Sequence, residues 1–132
     1  PDYILADLDM VVGSIHSGFA QSEATITRRI ITAMRNPYVT LIAHPTGRLM
    51  GQREPYAVNL EAVCMAAKET HTALEINAYP RRLDVCDTAA RQAKDAGAML
   101  AISTACGPRV MTCSPRRTTP SPMPSRATRQ PS

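Results

Sequence analysis

The sequence lacks an apolar run long enough to cross a bilayer, and it does not open with the basic and then apolar segment of a secretion signal. These absences argue against a membrane-spanning or exported protein, so we expect a cytoplasmic location and no membrane partner. The 132 residues, 44% of them hydrophobic, suffice for one domain with a modest core. Residues 2–5 are typical of the middle of a domain, so we expect an N-terminal part to precede Pro1.

Acidic residues are absent from the last part of the chain. Residues 105–132 contain five arginines and no acid, whereas residues 1–104 contain 10 Lys and Arg against 11 Asp and Glu. The net charge of +4 therefore comes from the tail and does not indicate a basic folded face for nucleic acid. The tail also has 6 Pro, 4 Ser and 4 Thr without apolar periodicity, so we predict that it is disordered.

The four cysteines show neither a metal-binding nor a disulfide pattern. Cys64 and Cys86 lie inside predicted helices without a CxxC partner, and Cys106 and Cys113 are seven residues apart in an irregular segment. This spacing fits neither a zinc ribbon nor a dense disulfide framework. We interpret the cysteines as free thiols in a reducing compartment.

Four short apolar runs predict strands, and the amphipathic segments between them predict helices. The predicted strands cover residues 10–16, 38–43, 73–77 and 99–103. The predicted helices cover residues 22–35, 60–70 and 84–96. Their expected caps are Ser22, Asn59 and either Asp84 or Asp87 at the N-termini, and Gly97 after the last helix.

This alternating order, β-α-β-α-β-α-β, predicts a parallel sheet covered by helices, either as an open doubly wound sheet or as part of a barrel. The third strand helps to choose between the two. Its alternation places Glu75 and Asn77 on one face and Leu74 and Ile76 on the other. Polar groups on an inward face favour a barrel whose interior contains a site.

Two of the three histidines follow predicted strands. Functional groups of parallel α/β folds lie at the carboxyl ends of the strands. His16 and His44 occupy such ends, whereas His71 lies in a loop at the opposite end of the sheet. Imidazole is a common ligand for zinc and manganese, so the pair could share a metal cluster. Spacing alone leaves open that each histidine only caps a strand with a hydrogen bond.

The loops on the same side also contain arginines that could bind phosphate. Arg48 and Arg82 are candidates, whereas we expect Arg53 and Arg81 to be ordinary solvated loop residues. Two further polar residues are left with two interpretations each. Asn77 could donate to a phosphate oxygen or satisfy backbone groups, and Glu75 could be a ligand or a buried acid paired with an arginine.

Several segments together resemble a known family. They are GSIHSGF at 13–19, NPYVTLIAHPTGRLMGQREPY at 36–56, LEINAYPRRLD at 74–84 and LAIST at 100–104. Their order is similar to that in the PHP (polymerase and histidinol phosphatase) domain, and most similar to the PHP domain of bacterial and archaeal family X DNA polymerases. The resemblance covers residues from about 3 to 104, so residues 1–104 are interpreted as a partial PHP domain and residues 105–132 as a separate tail.

The resemblance implies an α/β fold, a distorted (β/α)7 barrel of which this chain contains a part, with up to about three divalent metals, Mn or Zn. It implies metal-dependent phosphoester hydrolysis, in this branch 3′-5′ exonuclease or 3′-phosphatase action on DNA ends in repair. The implied metal ligands are His16 and His44. The implied phosphate-binding residues are Ser17, Arg48, Asn77 and Arg82. Glu75 would contact the metal ligands without binding the metal itself.

The departures from the family pattern are equally important. The family's opening H-x-H motif is absent, and its closing D-x-H motif, due after Thr104, is replaced by residues that include Ala105 and Gly107. We therefore expect weak or no hydrolysis by this chain alone. The tail that begins there is interpreted as a frameshifted reading of the gene or as a natural Pro-rich linker.

Three functional alternatives remain at this point. The chain could act on DNA 3′ ends, in a parent protein that also carries a polymerase module. It could instead resemble a histidinol phosphatase and act on a phosphorylated small molecule. It could also be a non-catalytic remnant, because a multi-metal site loses affinity when several ligands are missing.

Overall fold

A computed structural model describes residues 2–103, which form eight elements. The helices are α1 (Asp2–Leu5), α2 (Glu23–Met34), α3 (Leu60–Thr70) and α4 (Asp87–Ala96). The strands are β1 (Val11–Gly13), β2 (Val39–Ile42), β3 (Ala73–Asn77) and β4 (Leu100–Ser103). No helix within residues 2–103 is long and apolar enough to pass through a membrane. The predicted disorder of residues 105–132 lies outside the described residues.

The four strands form one parallel sheet in the order β1-β2-β3-β4, with a helix between each consecutive pair. The predicted α/β class, the parallel sheet and the alternation of strands and helices along the chain are therefore confirmed, and the arrangement is consistent with part of a barrel. A parallel pair needs a crossover connection, which α2, α3 and α4 supply.

Two of the three predicted N-terminal helix caps are observed. Ser22 caps α2 by accepting a hydrogen bond from the backbone N–H of Thr25, and Asn59 caps α3 in the same way through Ala62. The predicted cap of α4 is wrong, because its N-cap is Cys86, which makes no side-chain capping bond. At the other end of α4, Gly97 has the left-handed φ of 82° expected after a helix.

The apolar core lies between the helices and one face of the sheet. Register pairs Ile42 with Leu74 and Leu74 with Leu100 on that face. These side chains pack against α2, α3 and α4. The helical residues of this core, nearly all of them almost fully buried, are Ile26, Ile30, Met34, Val63, Cys64, Ala66, Ala67 and Ala93.

The opposite face of the sheet is polar towards its carboxyl edge. Glu75 pairs in register with Ala101, and Asn77 pairs with Ser103. The predicted separation of Glu75 and Asn77 from Leu74 is thus observed, since Leu74 belongs to the apolar core and the two polar residues do not. Despite their polarity, Glu75 and Asn77 are 0% and 1% exposed.

Three elements differ from the sequence-based prediction. Helix α4 begins at Asp87 rather than at residue 84, because Asp84 and Val85 belong to the loop after β3. Strand β1 is shorter than residues 10–16, because it ends at Gly13 after a register irregularity between Val11 and Val12. His16 therefore lies in the loop after β1 rather than at its last position. The short helix α1 was not predicted, since its four residues show no amphipathic period.

Candidate metal and phosphate site

The loops that follow β1 and β2 bring two histidines together. The rings of His16 and His44 stack with their centroids 5.5 Å apart and their planes 16° from parallel. His44 is 6% exposed, whereas His16 is exposed to solvent. The third histidine, His71, is the left-handed C-cap of α3 and lies away from this pair.

His44 is fixed by its backbone while its ring keeps a free nitrogen. Its N–H donates to Oε2 of Glu75 at 2.7 Å. Its φ of 35° is in the left-handed region, a conformation that costs a non-glycine residue about 1–3 kcal/mol and is common at functional sites. Its buried Nδ1 has no hydrogen-bond partner among the described residues. A buried ring nitrogen without a partner is suited to an incoming ligand.

The electrostatic surroundings of His44 favour neutral imidazole. Burial lowers the pKa of His44 below its usual value, and the positive charge of Arg82 lowers it further. The carboxylates of Glu75 and Asp84 act in the opposite direction with smaller effect. Neutral imidazole is the form that binds metal ions.

Glu75 supports this site through hydrogen bonds rather than as an exposed ligand. Its Oε2 also accepts from the side-chain amide of Asn77 at 3.1 Å, and its Oε1 accepts from the hydroxyl of Ser103. Within residues 2–103 no arginine pairs with Glu75, so its pairing with an arginine stays a prediction. Asn77 in turn accepts a hydrogen bond from the backbone N–H of Tyr79 at 3.0 Å. Both side chains are therefore occupied by protein groups.

The loop after β1 carries two predicted site residues. His16 Nε2 forms a 2.9 Å hydrogen bond with the hydroxyl of Ser14. Ser17 is exposed, and its carbonyl oxygen accepts from the Arg29 guanidinium at 2.9 Å. Because Ser17 is exposed, a ligand would reach its hydroxyl from the solvent side. Its role in phosphate binding stays a prediction.

The two predicted phosphate-binding arginines have different surroundings. Arg48 directs Nε to the carbonyl of Arg82 at 3.2 Å and Nη2 to the carbonyl of Leu83. Arg82, in contrast, has a buried Nη1 without a partner in the described part of the chain. Because Arg82 also acts electrostatically on His44, its guanidinium is the better placed of the two for an anion.

Arg81 is exposed, as expected, but Arg53 is not an ordinary solvated arginine. Its Nε and Nη2 donate to the carbonyl of Gly47 at 2.9 and 2.7 Å. Its guanidinium carbon lies 4.1 Å from the centroid of the Phe19 ring, which stacks at 6.0 Å on Tyr56. This cluster supports the loop after β2 and was not found from the sequence, because Arg53 and Tyr56 are 34 and 37 residues away from Phe19.

Tyr56 and Gly47 form the base of the same cluster. A Cβ on Gly47 would lie 2.2 Å from Cε1 of Tyr56, so the ring needs a glycine beneath it. Burial raises the pKa of the Tyr56 hydroxyl well above its usual value, and that hydroxyl has no partner among residues 2–103. It is therefore a neutral buried donor near the loop that carries His44.

Asp84 is the main site residue that the sequence analysis assigned to another role. We predicted it as a possible helix cap, but it is fully buried and binds the loop after β2. A usable signal was present, since the carboxyl-end rule that selected His16 and His44 applies equally to the loop after β3. We assigned Asp84 to helix capping instead, because an aspartate just before a helix also fits the capping pattern.

The side chains at this edge fit part of a metal site. Two adjacent imidazoles, one of them with a free buried nitrogen, are suitable ligands for zinc or manganese. Within residues 2–103, however, no group of three or more His, Cys, Asp or Glu side chains is arranged to hold a metal. Protein zinc sites use three or four protein ligands, so the histidine pair is a partial site.

The fold and this edge define a class: a parallel α/β sheet, consistent with part of a barrel, with histidine, arginine and buried carboxylates at the carboxyl ends of its strands. No family model matches the chain. Individual relatives do match. The chain is 45% identical to the DNA polymerase/3′-5′ exonuclease PolX of Bacillus subtilis over 103 residues, which are 78% of this chain and 18% of that protein.

Probable phosphatases also match. One from Thermoanaerobacter sp. is 33% identical over 111 residues, covering 77% of this chain and 43% of the relative. Another from Clostridium novyi is 38% identical over 80 residues, covering 58% of this chain and 30% of the relative. The chain thus spans less than half the length of these relatives. It is homologous to part of each, consistent with a fragment of the PHP domain of a family X DNA polymerase.

Proposed function

We propose that the chain contributes to metal-dependent phosphoester hydrolysis, with His16 and His44 as metal ligands. The observation that carries the proposal is the stacked pair of imidazoles, in which the buried His44 keeps Nδ1 free. The names of the relatives, an exonuclease and several probable phosphatases, support a hydrolase acting on phosphoesters.

When bound, divalent metals would polarise the phosphoryl oxygens and stabilise negative charge that develops during hydrolysis. The residues of this chain would have three tasks. His16 and His44 would bind the ions through neutral imidazole. Arg82 would direct its unpartnered Nη1 towards a phosphate oxygen. Glu75 would hold the backbone of His44 in its left-handed conformation.

The substrate we propose is the 3′ end of DNA, by the similarity to PolX, with the polymerase module of the parent protein as a partner. A phosphorylated small molecule is the second candidate, and the similarity to the probable phosphatases supports it. We keep the expectation that the chain alone is weakly active or inactive, because two histidines do not complete a metal site.

Metal binding is the most direct test of the proposal. Titration with Mn²⁺ should broaden the imidazole resonances of His16 and His44 before that of His71. His44→Ala should remove most of this binding, whereas the matched control His71→Ala should leave it unchanged. Equal broadening of all three histidines, or unchanged binding by His44→Ala, would contradict the proposal.

Activity is tested separately with Mn²⁺ or Zn²⁺ and two substrates, a 3′-end-labelled oligonucleotide and a phosphomonoester. Slow or undetectable turnover is expected from the chain alone. Rapid turnover that His44→Ala abolishes would support the site but disprove the expected weak activity. A preference for one of the two substrates would decide between the DNA and small-molecule alternatives.

A further inference from the structure

The carboxylate of Asp84 joins two loops that come from different strands. It is 0% exposed. Its Oδ1 accepts from the backbone N–H of Thr46 at 3.2 Å, from the Thr46 hydroxyl at 3.0 Å and from the N–H of Val85 at 2.7 Å. Its Oδ2 accepts from the N–H of Arg48 at 3.2 Å. Such hydrogen bonds to a charged acceptor are stronger than those between neutral groups.

Further hydrogen bonds join the same two loops, and in these too the first loop donates and the second accepts. The guanidinium of Arg48 donates to the carbonyls of Arg82 and Leu83, and the N–H of Met50 donates to the carbonyl of Arg81 at 2.6 Å. We call this set of bonds, donated by residues 46–50 and accepted by residues 81–85, the loop clasp. It leaves few backbone groups of either loop free to move independently.

The backbone around Asp84 is strained in a way that needs tertiary support. Leu83 has φ of 40° and Val85 has φ of 57°. A β-branched residue in the left-handed region is a clear outlier. Val85 is β-branched and Leu83 is a bulky residue, so both positions are strained. The conformation turns Asp84 into the interior, and the four hydrogen bonds to its carboxylate offset the strain.

The clasp holds the two loops that carry the main groups of the candidate site. Thr46 follows His44 by two residues, and Arg82 precedes Asp84 by two residues. We infer that Asp84 is a positioning residue of the site, which sets His44 and Arg82 beside each other by tying their loops together. This inference rests on the proposed function, because it gives the clasp a role in metal and phosphate binding.

The test compares Asp84→Asn with the matched control Asp87→Asn, an exposed aspartate in the first turn of α4. Asparagine keeps the shape, but its N–H₂ group replaces one carboxylate oxygen and so faces either the N–H of Arg48 or the N–H groups of Thr46 and Val85. Its remaining oxygen is an uncharged and therefore weaker acceptor. In Asp84→Asn the amide hydrogens of Thr46 and Arg48 should exchange at least about tenfold faster, while those of Val63 and Leu74 change little. In Asp87→Asn all four should be unchanged. Unchanged exchange at Thr46 and Arg48, or equally faster exchange throughout the core, would overturn the positioning role.

A measurement on the unaltered chain covers the case in which Asp84→Asn does not fold. Scalar couplings across hydrogen bonds should connect the amide nitrogens of Thr46 and Arg48 with the carboxyl carbon of Asp84. Their absence would overturn the inference directly.

The link to the site is tested with Mn²⁺. In Asp84→Asn the Mn²⁺ concentration that half-broadens the His44 ring signal should rise about tenfold, as is typical when a supporting residue behind metal ligands is removed. Asp87→Asn should leave it unchanged. Exchange results as expected with no Mn²⁺ binding by any variant would refute the proposed function. Intact Mn²⁺ binding in Asp84→Asn would instead refute the positioning role alone.

Discussion

The helix-covered face of the sheet and its carboxyl edge are both buried, but they are built from opposite kinds of side chain. The first contains apolar residues such as Ile30, Val63 and Leu74, each no more than 1% exposed. The second contains Glu75 and Asp84, both fully buried. The helix-covered face shows ordinary backbone geometry, whereas His44, Leu83 and Val85 at the carboxyl edge have positive φ.

The difference shows how stability and chemistry are divided in this chain. Apolar burial stabilises the fold with no directional requirement. The carboxyl edge needs every donor matched, and yet three buried polar atoms there lack partners among residues 2–103, namely His44 Nδ1, Tyr56 OH and Arg82 Nη1. Buried groups without partners cost about 1–3 kcal/mol each, so they are expected where a ligand supplies the missing contact.

The largest expected effect is on the helix-covered face. Leu74→Ala should lower the free energy of unfolding by about 3–5 kcal/mol through lost burial and a cavity, or abolish the cooperative transition. Leu83→Ala is the control, since Leu83 is 48% exposed, and should cost less than about 1 kcal/mol. Urea denaturation followed by circular dichroism measures both. Similar losses in the two variants would contradict the assignment of the core.

The second largest loss of unfolding free energy is expected at the carboxyl edge, where Gly47 lies beneath the Tyr56 ring. Gly47 and Gly51 have φ of 65° and 73°, but only Gly47 has Tyr56 in contact. Gly51→Ala therefore reports the backbone strain alone, about 1 kcal/mol. Gly47→Ala adds the steric clash, for a total of about 2–4 kcal/mol. Equal unfolding free energies of the two variants would show that Tyr56 moves without cost.

A smaller and stabilising effect is expected at the C-terminus of α3. His71 has a φ of 55°, which glycine adopts without strain, so His71→Gly should raise the unfolding free energy by about 0.5–1 kcal/mol. Arg35 ends α2 with an ordinary φ of −71°. The same denaturation experiment should therefore show no gain for Arg35→Gly, and a gain there would refute the explanation by backbone conformation.

The smallest expected effect concerns two cysteines, Cys64 in the apolar core and Cys86 at the start of α4. Burial raises the pKa of Cys64 in the core, whereas the hydrogen bond with Thr88, followed by backbone N–H groups, lowers the pKa of the exposed Cys86. A lowered pKa means more thiolate at neutral pH, so alkylation of Cys86 should level off at lower pH than that of free cysteine.

Thr88→Val tests this cause. Loss of the hydroxyl should raise the pKa of Cys86 and slow its alkylation at pH 7 about two- to threefold, without changing Cys64. Peptide-resolved mass spectrometry after iodoacetamide treatment separates the two thiols. A faster reaction of Cys64 than of Cys86 would reverse the comparison.

Predictions from the sequence succeeded where neighbouring residues decide the structure. The bounds of β3, the caps Ser22 and Asn59, and the glycine after α4 all depend on contacts within a few positions. The prediction of Asp84 as a cap failed because its partners Thr46 and Arg48 are 38 and 36 residues away. No local pattern distinguishes an aspartate that caps a helix from one that is turned into the interior.

The sequence by itself determined the order of strands and helices, the apolar face of each helix and the histidines that follow the first two strands. These features depend on period and on local propensity, which short stretches of chain carry. Only the tertiary structure decided that His16 and His44 stack, that Glu75 holds the backbone of His44, and that Asp84 closes the loop clasp. Such contacts join residues 28 to 36 positions apart, and their strength comes from burial that exists only once the sheet has assembled.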